Sequence, residues 1–189
     1  AFIFSVSIAL VVAQPANDVC TAAQPITPDG TCVTGTTVAA TDNWTNNVGC
    51  QAGLPSFSHR DVWYSFTATG TSYTGTLTAG AGWAGTMEFT LASGTCTGSF
   101  TIVGSACGAS PLNINIGGLV SGTTYYFTVS NAYNGTPGPF TICSTTSNPL
   151  CSGVACTSPT VITYTTGTQA CVTGCNTGLA PGPDFTGNN

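Results

Sequence analysis

Positive charge is nearly absent from this chain: Lys+Arg totals 1, the one cation is Arg60, and no lysine occurs in 189 residues. Charged residues make up 4% of the sequence, against roughly 25% in an ordinary soluble domain. With a formal charge of −5 at pH 7, no surface can track a phosphate backbone, which excludes nucleic-acid binding. Histidine occurs once, as His59, and this removes most metal-hydrolase and histidine-dependent catalytic schemes. Helix formers are scarce, and no segment carries a capped apolar period near 3.6. Long hydrophobic runs are missing too. Residues 2–12 form an apolar run of 11, where a membrane-spanning helix needs about 20.

That run has the length of a secretory h-region, and Val11-Val12-Ala13 supplies the small residue a signal peptidase needs. Residues 1–13 are therefore expected to be part of a signal peptide, with the mature chain starting at Gln14 and carrying no membrane span. A buried first strand is the competing reading, which Gln14-Pro15 would interrupt at once.

Threonine, serine, glycine and cysteine are what the chain has instead, at 35, 16, 24 and 10 residues. Ten cysteines behind a secretory leader read as disulfides made in an oxidising compartment, which places the protein outside the cell or on its surface. The cysteines also mark a repeat. Cys20-Thr21, Ile26-Thr27, Gly30-Thr31 and Cys32-Val33-Thr34-Gly35 recur as Cys156-Thr157, Ile162-Thr163, Gly167-Thr168 and Cys171-Val172-Thr173-Gly174. Tandem copies of one domain follow from such self-similarity. The expected layout is a domain over 17–146, a linker over 147–153, and over 154–189 the N-terminal part of a second copy.

Within 17–146 the strand signals are strong. Val62 to Ala68 alternates, with Val62, Tyr64, Phe66 and Ala68 on one face. Further runs are Thr74 to Ala79, Met87 to Ala92, Phe100 to Val103, Leu112 to Ile116, Tyr125 to Val129 and Phe140 to Ile142. Glycine, asparagine, proline or serine separates them at intervals of about 10–15 residues, which predicts an all-β fold, an antiparallel β-sandwich of jelly-roll type. A tyrosine following Gly118-Leu119-Val120-Ser121-Gly122-Thr123 suits a tyrosine corner, in which the hydroxyl ties down a loop between sheets.

Several segments in order carry a family pattern: Asn17-Asp18-Val19-Cys20, Asp61-Val62-Trp63-Tyr64-Ser65-Phe66, Gly94-Thr95-Cys96, Cys107, Gly122-Thr123-Thr124-Tyr125-Tyr126 and Phe140-Thr141. Over roughly 130 residues this resembles the pre-peptidase C-terminal-like β-sandwich modules of large secreted and surface proteins of Bacteroidetes. The Asp-Val-Trp-Tyr-Ser-Phe strand is the specific part, and the Gly-Thr-Thr-Tyr-Tyr segment is shared with fibronectin type III modules. The resemblance implies a jelly-roll-like sandwich within a multi-domain exported chain.

Candidate sites are few. Cys96 and Cys107 flank Phe100–Val103 and are expected to clip a hairpin. Cys32 with Cys50 would close a loop, and Cys20 with Cys143 would join the first and last strands. Connectivity of Cys151, Cys156, Cys171 and Cys175 stays open, and with one histidine a zinc site is not favoured. Ser58-His59-Arg60-Asp61 holds the residue types of a hydrolase triad, but neighbours in sequence rarely converge on one point, and no Gly-x-Ser-x-Gly elbow is present. Asp61 is expected to accept backbone N–H bonds; a calcium site shared with Asp42 or Glu88 is the cofactor alternative. Trp44, Trp83, Tyr73 and Tyr133 sit among Gly, Asn and Thr. They either plug the ends of the sandwich or present planes for stacking on sugar rings, and the plug is favoured. Asn43-Trp44-Thr45 and Asn134-Gly135-Thr136 match the N-glycosylation pattern.

With no credible pair of nucleophile and base, the sequence predicts no enzyme. It reads as a non-catalytic adhesion or spacer module of a larger secreted or surface protein, whose partners are glycans or other surface proteins. The alternative is a carbohydrate-binding module appended to a secreted hydrolase or peptidase.

Overall fold

The structure is a computed structural model, and residues 12–43, 60–133 and 135–147 are described. The chain divides into two units, Ala1–Ser147 and Asn148–Asn189. The expected linker beyond Ser147, the second repeat and most of the signal segment lie outside the described residues.

Among the described residues nine strands follow one 3-10 turn, Cys20–Ala22. They are β1 Gln24–Pro25, β2 Asp29–Thr36, β3 Val62–Thr67, β4 Ser72–Ala79, β5 Met87–Gly94, β6 Phe100–Gly108, β7 Leu112–Gly117, β8 Thr124–Asn131 and β9 Pro139–Ser147. One sheet has the order β1-β3-β8-β5-β6 and the other β2-β9-β4-β7. All pairings are antiparallel except the short β1–β3 contact, which is parallel. The chain is thus all-β, two sheets face to face. All seven expected strand runs are present, while β1 and β2 are additional: β1 has two residues, and the Thr, Gly and Cys residues of β2 carry little apolar signal.

The alternation of β3 dictates the core. Val62, Tyr64, Phe66 and the following Ala68 all point into the space between the sheets. Phe127 of β8 stacks on Tyr64 with centroids 5.0 Å apart and lies 4.9 Å from Phe89 of β5. From the opposite sheet Tyr73 stacks on Phe89 at 5.4 Å. Such pairs add about 0.5–1.5 kcal/mol each beyond their burial. Gly35 makes room for this cluster, because a Cβ there would collide with the Tyr64 hydroxyl and the Phe140 ring.

A second, smaller core covers the outer face of the five-stranded sheet. Trp63 and Ala92 are buried there against Cys20, Ala23, Phe100, Ile102 and Tyr126. The segment that brings Cys20 across is locked to β3 by a reciprocal pair: the Trp63 amide donates to the Asn17 carbonyl at 2.8 Å, and the Asn17 side-chain amide donates to the Trp63 carbonyl at 2.9 Å. The tyrosine corner forms as well, with the Val120 amide donating to the Tyr125 hydroxyl at 2.9 Å.

Candidate functional site

Chemistry-bearing side chains gather at one end of the sandwich, where β3 starts and β8 finishes. Thr37, fully buried, donates from its hydroxyl to Asn131 Oδ1 at 3.0 Å and accepts from the Gly138 amide at 3.2 Å. Asp18 accepts from the Thr41 amide at 2.7 Å and from the Thr41 hydroxyl at 2.6 Å. The Asn43 side-chain amide donates to the Asp18 carbonyl at 2.7 Å, and the Asn43 backbone amide donates to Asp61 Oδ1 at 2.8 Å. Asn17, Asp18 and Asp61 belong to the sequence segments that carry the family pattern. Their role in tying three loops together was not readable from spacing, because Thr37 and Thr41 sit in no motif and the glycosylation pattern at Asn43 says nothing of these contacts.

Asp61 is 1% exposed, and its Oδ2 is buried without a hydrogen-bond partner. Burial pushes its carboxyl up to about 6, against the Asn43 amide and with a further push from the charge of Asp42. The expectation that Asp61 accepts a backbone N–H is met. Glu88 is also buried, but it lies on β5 opposite Ser130 and Cys107, with β8 between it and β3. Among the described residues, no group of three or more His, Cys, Asp or Glu lies close enough to hold a metal ion. Asp29 is exposed at the start of β2, where the Thr31 amide holds its carboxyl below the usual range. Ser58 and His59 lie outside the described residues. Arg60 is exposed with a left-handed backbone, φ 38°.

The four aromatic candidates separate. Tyr73 is a correction: it is no ligand platform but a fully buried core residue, since β4 begins at Ser72 and points it inward against Phe66, Phe89 and Phe127. Trp83 packs edge-on against Phe140 at 6.1 Å with its backbone beneath Gly138, which makes it a partly exposed plug of the sandwich end. Tyr133 is 49% exposed, with φ 56°. Its loop pairs with that of Trp83 through an Ala84–Thr136 bridge, so both rings belong to the end that holds Asp18 and Asp61. Trp44 lies outside the described residues, as does Asn134 of the second glycosylation pattern.

The disulfide expectations are overturned. Cys20 pairs with Cys96, and Cys32 with Cys143, at Cα separations of 5.4 and 4.0 Å. Cys96–Cys107 fails because β6 runs on through Cys107: Cys107 sits opposite Glu88, far along the hairpin from the turn that holds Cys96. Cys107 is itself disulfide-bonded. Cys20–Cys143 fails because the strand beside β9 is β2, whose Cys32 stands directly opposite Cys143. That pairing also takes Cys32 from Cys50, a residue outside the described ones.

Two grooves among the described residues lack the lining of a usual small-molecule pocket. An open groove of about 370 Å³ lies on the outer face of the four-stranded sheet, over Gly75 and beside Thr74, Thr76, Asn113 and Thr145. Another, about 430 Å³, is lined mainly by Thr27, Pro28, Thr67, Thr69 and Thr146. Ligand pockets are usually rich in aromatic and apolar side chains around a few convergent polar groups. These grooves offer hydroxyls, the Asn113 amide and the exposed Asp29 carboxylate, and no aromatic ring.

No protein-family model matches the chain, and no curated protein sequence matches it. Among solved structures, the chain is similar to the pre-peptidase C-terminal domain of a collagenase from Bacillus anthracis. The two share 16% identity, the match covers 65% of this chain and 93% of that one, and the TM-score is 0.40. No residue role and no activity is carried across from it.

Proposed function

We propose that residues 17–147 form a non-catalytic extracellular module, a spacer or adhesive unit within a larger secreted or cell-surface protein. The observation that carries this reading is the use the loop end makes of its acids. Asp18 commits both carboxylate oxygens to Thr41, and Asp61 commits one to Asn43, so these groups hold backbone rather than facing a cleft. A general acid or base needs to reach a substrate proton within hydrogen-bond distance. The disulfides Cys20–Cys96 and Cys32–Cys143 support the extracellular setting, since such bonds persist in oxidising compartments. The full chain is expected to leave peptide and glycoside substrates unturned over; turnover that His59→Ala abolishes would overturn the assignment.

A second reading, carbohydrate binding, is favoured by the placement of exposed Tyr133 and partly exposed Trp83 on paired loops. Aromatic planes at the rim of a sandwich stack on sugar rings, and the neighbouring Thr and Asn side chains supply hydrogen bonds. Glycan-array binding that is lost in Tyr133→Ala would promote this reading over the spacer. An array without signal would remove it.

A further inference from the structure

We propose that the Cys32–Cys143 bridge makes this module a tension-bearing link, in which pull along the chain crosses from β2 to β9 through the disulfide and bypasses the sandwich between them. The inference rests on the spacer reading and adds to it what the spacer does under load. Its failure would leave the non-catalytic assignment, which turnover tests, untouched.

β2 and β9 are the first and last strands of their sheet, adjacent and antiparallel. The chain therefore enters β2 and leaves β9 at the same end of the pair, beside Asp29 and Thr145. Tension applied there would peel the two strands apart like a zip, loading their hydrogen bonds one after another rather than together. This is the mechanically weak way to pull an antiparallel pair.

The bridge stands where that peeling would begin. Asp29↔Thr145 is the one register pair ahead of Cys32↔Cys143, while Val33↔Ile142, Thr34↔Thr141, Gly35↔Phe140 and Thr36↔Pro139 all lie behind it. A covalent crosslink at the far end of the ladder would leave every pair exposed to the load, and one at the entry shields them. The loop it closes spans 111 residues. Even with every strand of the sandwich undone, that loop cannot come under tension.

Cys20–Cys96 supplies a second anchor on the entry side. It fastens the incoming segment to the turn after β5, in the other sheet. Should that sheet yield, the chain from Cys20 to Cys32 would come taut after roughly 40 Å, at about 3.3–3.6 Å per extended residue. Together the two bridges make the module nearly inextensible.

Contour length is the readout, because it does not depend on whether a variant folds. The full chain is held by handles coupled through unnatural residues at Gln14 and Asn148, and stretched in an optical trap. The oxidised chain should stop at about 80 Å between the handles, whatever force is applied, and the fully reduced chain should reach about 450 Å. Cys107→Ala alone, which removes the third bridge, should stop at the wild-type length, and a triple variant, Cys32→Ala, Cys107→Ala and Cys143→Ala, then isolates the Cys32–Cys143 bridge by leaving Cys20–Cys96 in place. Oxidised, it should extend at least twofold further than the wild type. A triple variant that stops at the wild-type length would overturn the proposal, and so would an oxidised wild type that extends to several hundred ångström.

Discussion

Asp61 is the residue whose environment costs the fold most visibly. Its carboxyl titrates near 6 in the folded protein against 3.8 when free, because burial disfavours the charged form. The folded state therefore binds more protons than the unfolded state between those values. The penalty is complete above pH 6 and disappears as the pH falls through 6 towards 3.8, so acidification over this window stabilises the fold. In a chelating buffer Asp61→Asn is expected to gain up to about 3 kcal/mol at pH 8 and nothing at pH 3.5, read from denaturant melts. A calcium ion at this end would reverse the sign. Calcium that raises the wild-type melting temperature, but not that of Asp61→Asn, would establish a site there; no shift would discard it. Gly35 acts by shape. Gly35→Ala would press a methyl group into the Tyr64 hydroxyl and Phe140, and is expected to cost about 1–3 kcal/mol by overpacking.

Among the elements, β6 teaches most about register. Its apolar stretch Phe100–Val103 is only the first part of a nine-residue strand, whose second half is Gly, Ser, Ala and Cys. Those small residues alternate in burial but carry little apolar signal, and pairing with β5 holds them in the strand. Extending the strand carries Cys107 away from Cys96 and frees Cys96 for the N-terminal segment. Peptide mapping of the unreduced protein should recover Cys20 joined to Cys96 and Cys32 joined to Cys143; a Cys96–Cys107 peptide would contradict the strand register itself. β2 behaves in the same way. Thr, Gly and Cys dominate it, and it becomes a strand because β9 offers a continuous partner from Cys32 to Thr36, after a register shift behind Asp29.

For the whole molecule, the disulfides offset a scarcity of surface charge and of helical structure. They close loops of 76 and 111 residues, each worth about 4–5 kcal/mol in the chain-entropy model. Cys20→Ala with Cys96→Ala should lower stability by about 2–5 kcal/mol and loosen Trp63 first, since the second core lies under that bridge. Trp63 fluorescence that reddens before the bulk transition would register this. A single cooperative transition would show that the outer layer is held by Asn17 and packing alone.

Local chemistry was enough to specify the all-β class, the seven apolar strands, the inward face of β3 and the tyrosine corner. Each of these depends on alternation or turn residues within a short window, and Val62, Tyr64, Phe66 and Tyr125 carry that signal in their own side chains. The backbone-holding role of Asp61 was legible for the same reason, since it stands directly before a buried strand. Tertiary structure alone decided the disulfide partners, the burial of Tyr73, the outer core around Trp63 and the joining of Asp18 with Thr41 and Asn43. These depend on which strands become neighbours, and the packing of the two sheets brings together strands that lie far apart in sequence. Cys32 meets Cys143 only because β2 lies beside β9, a fact no spacing between cysteines contains.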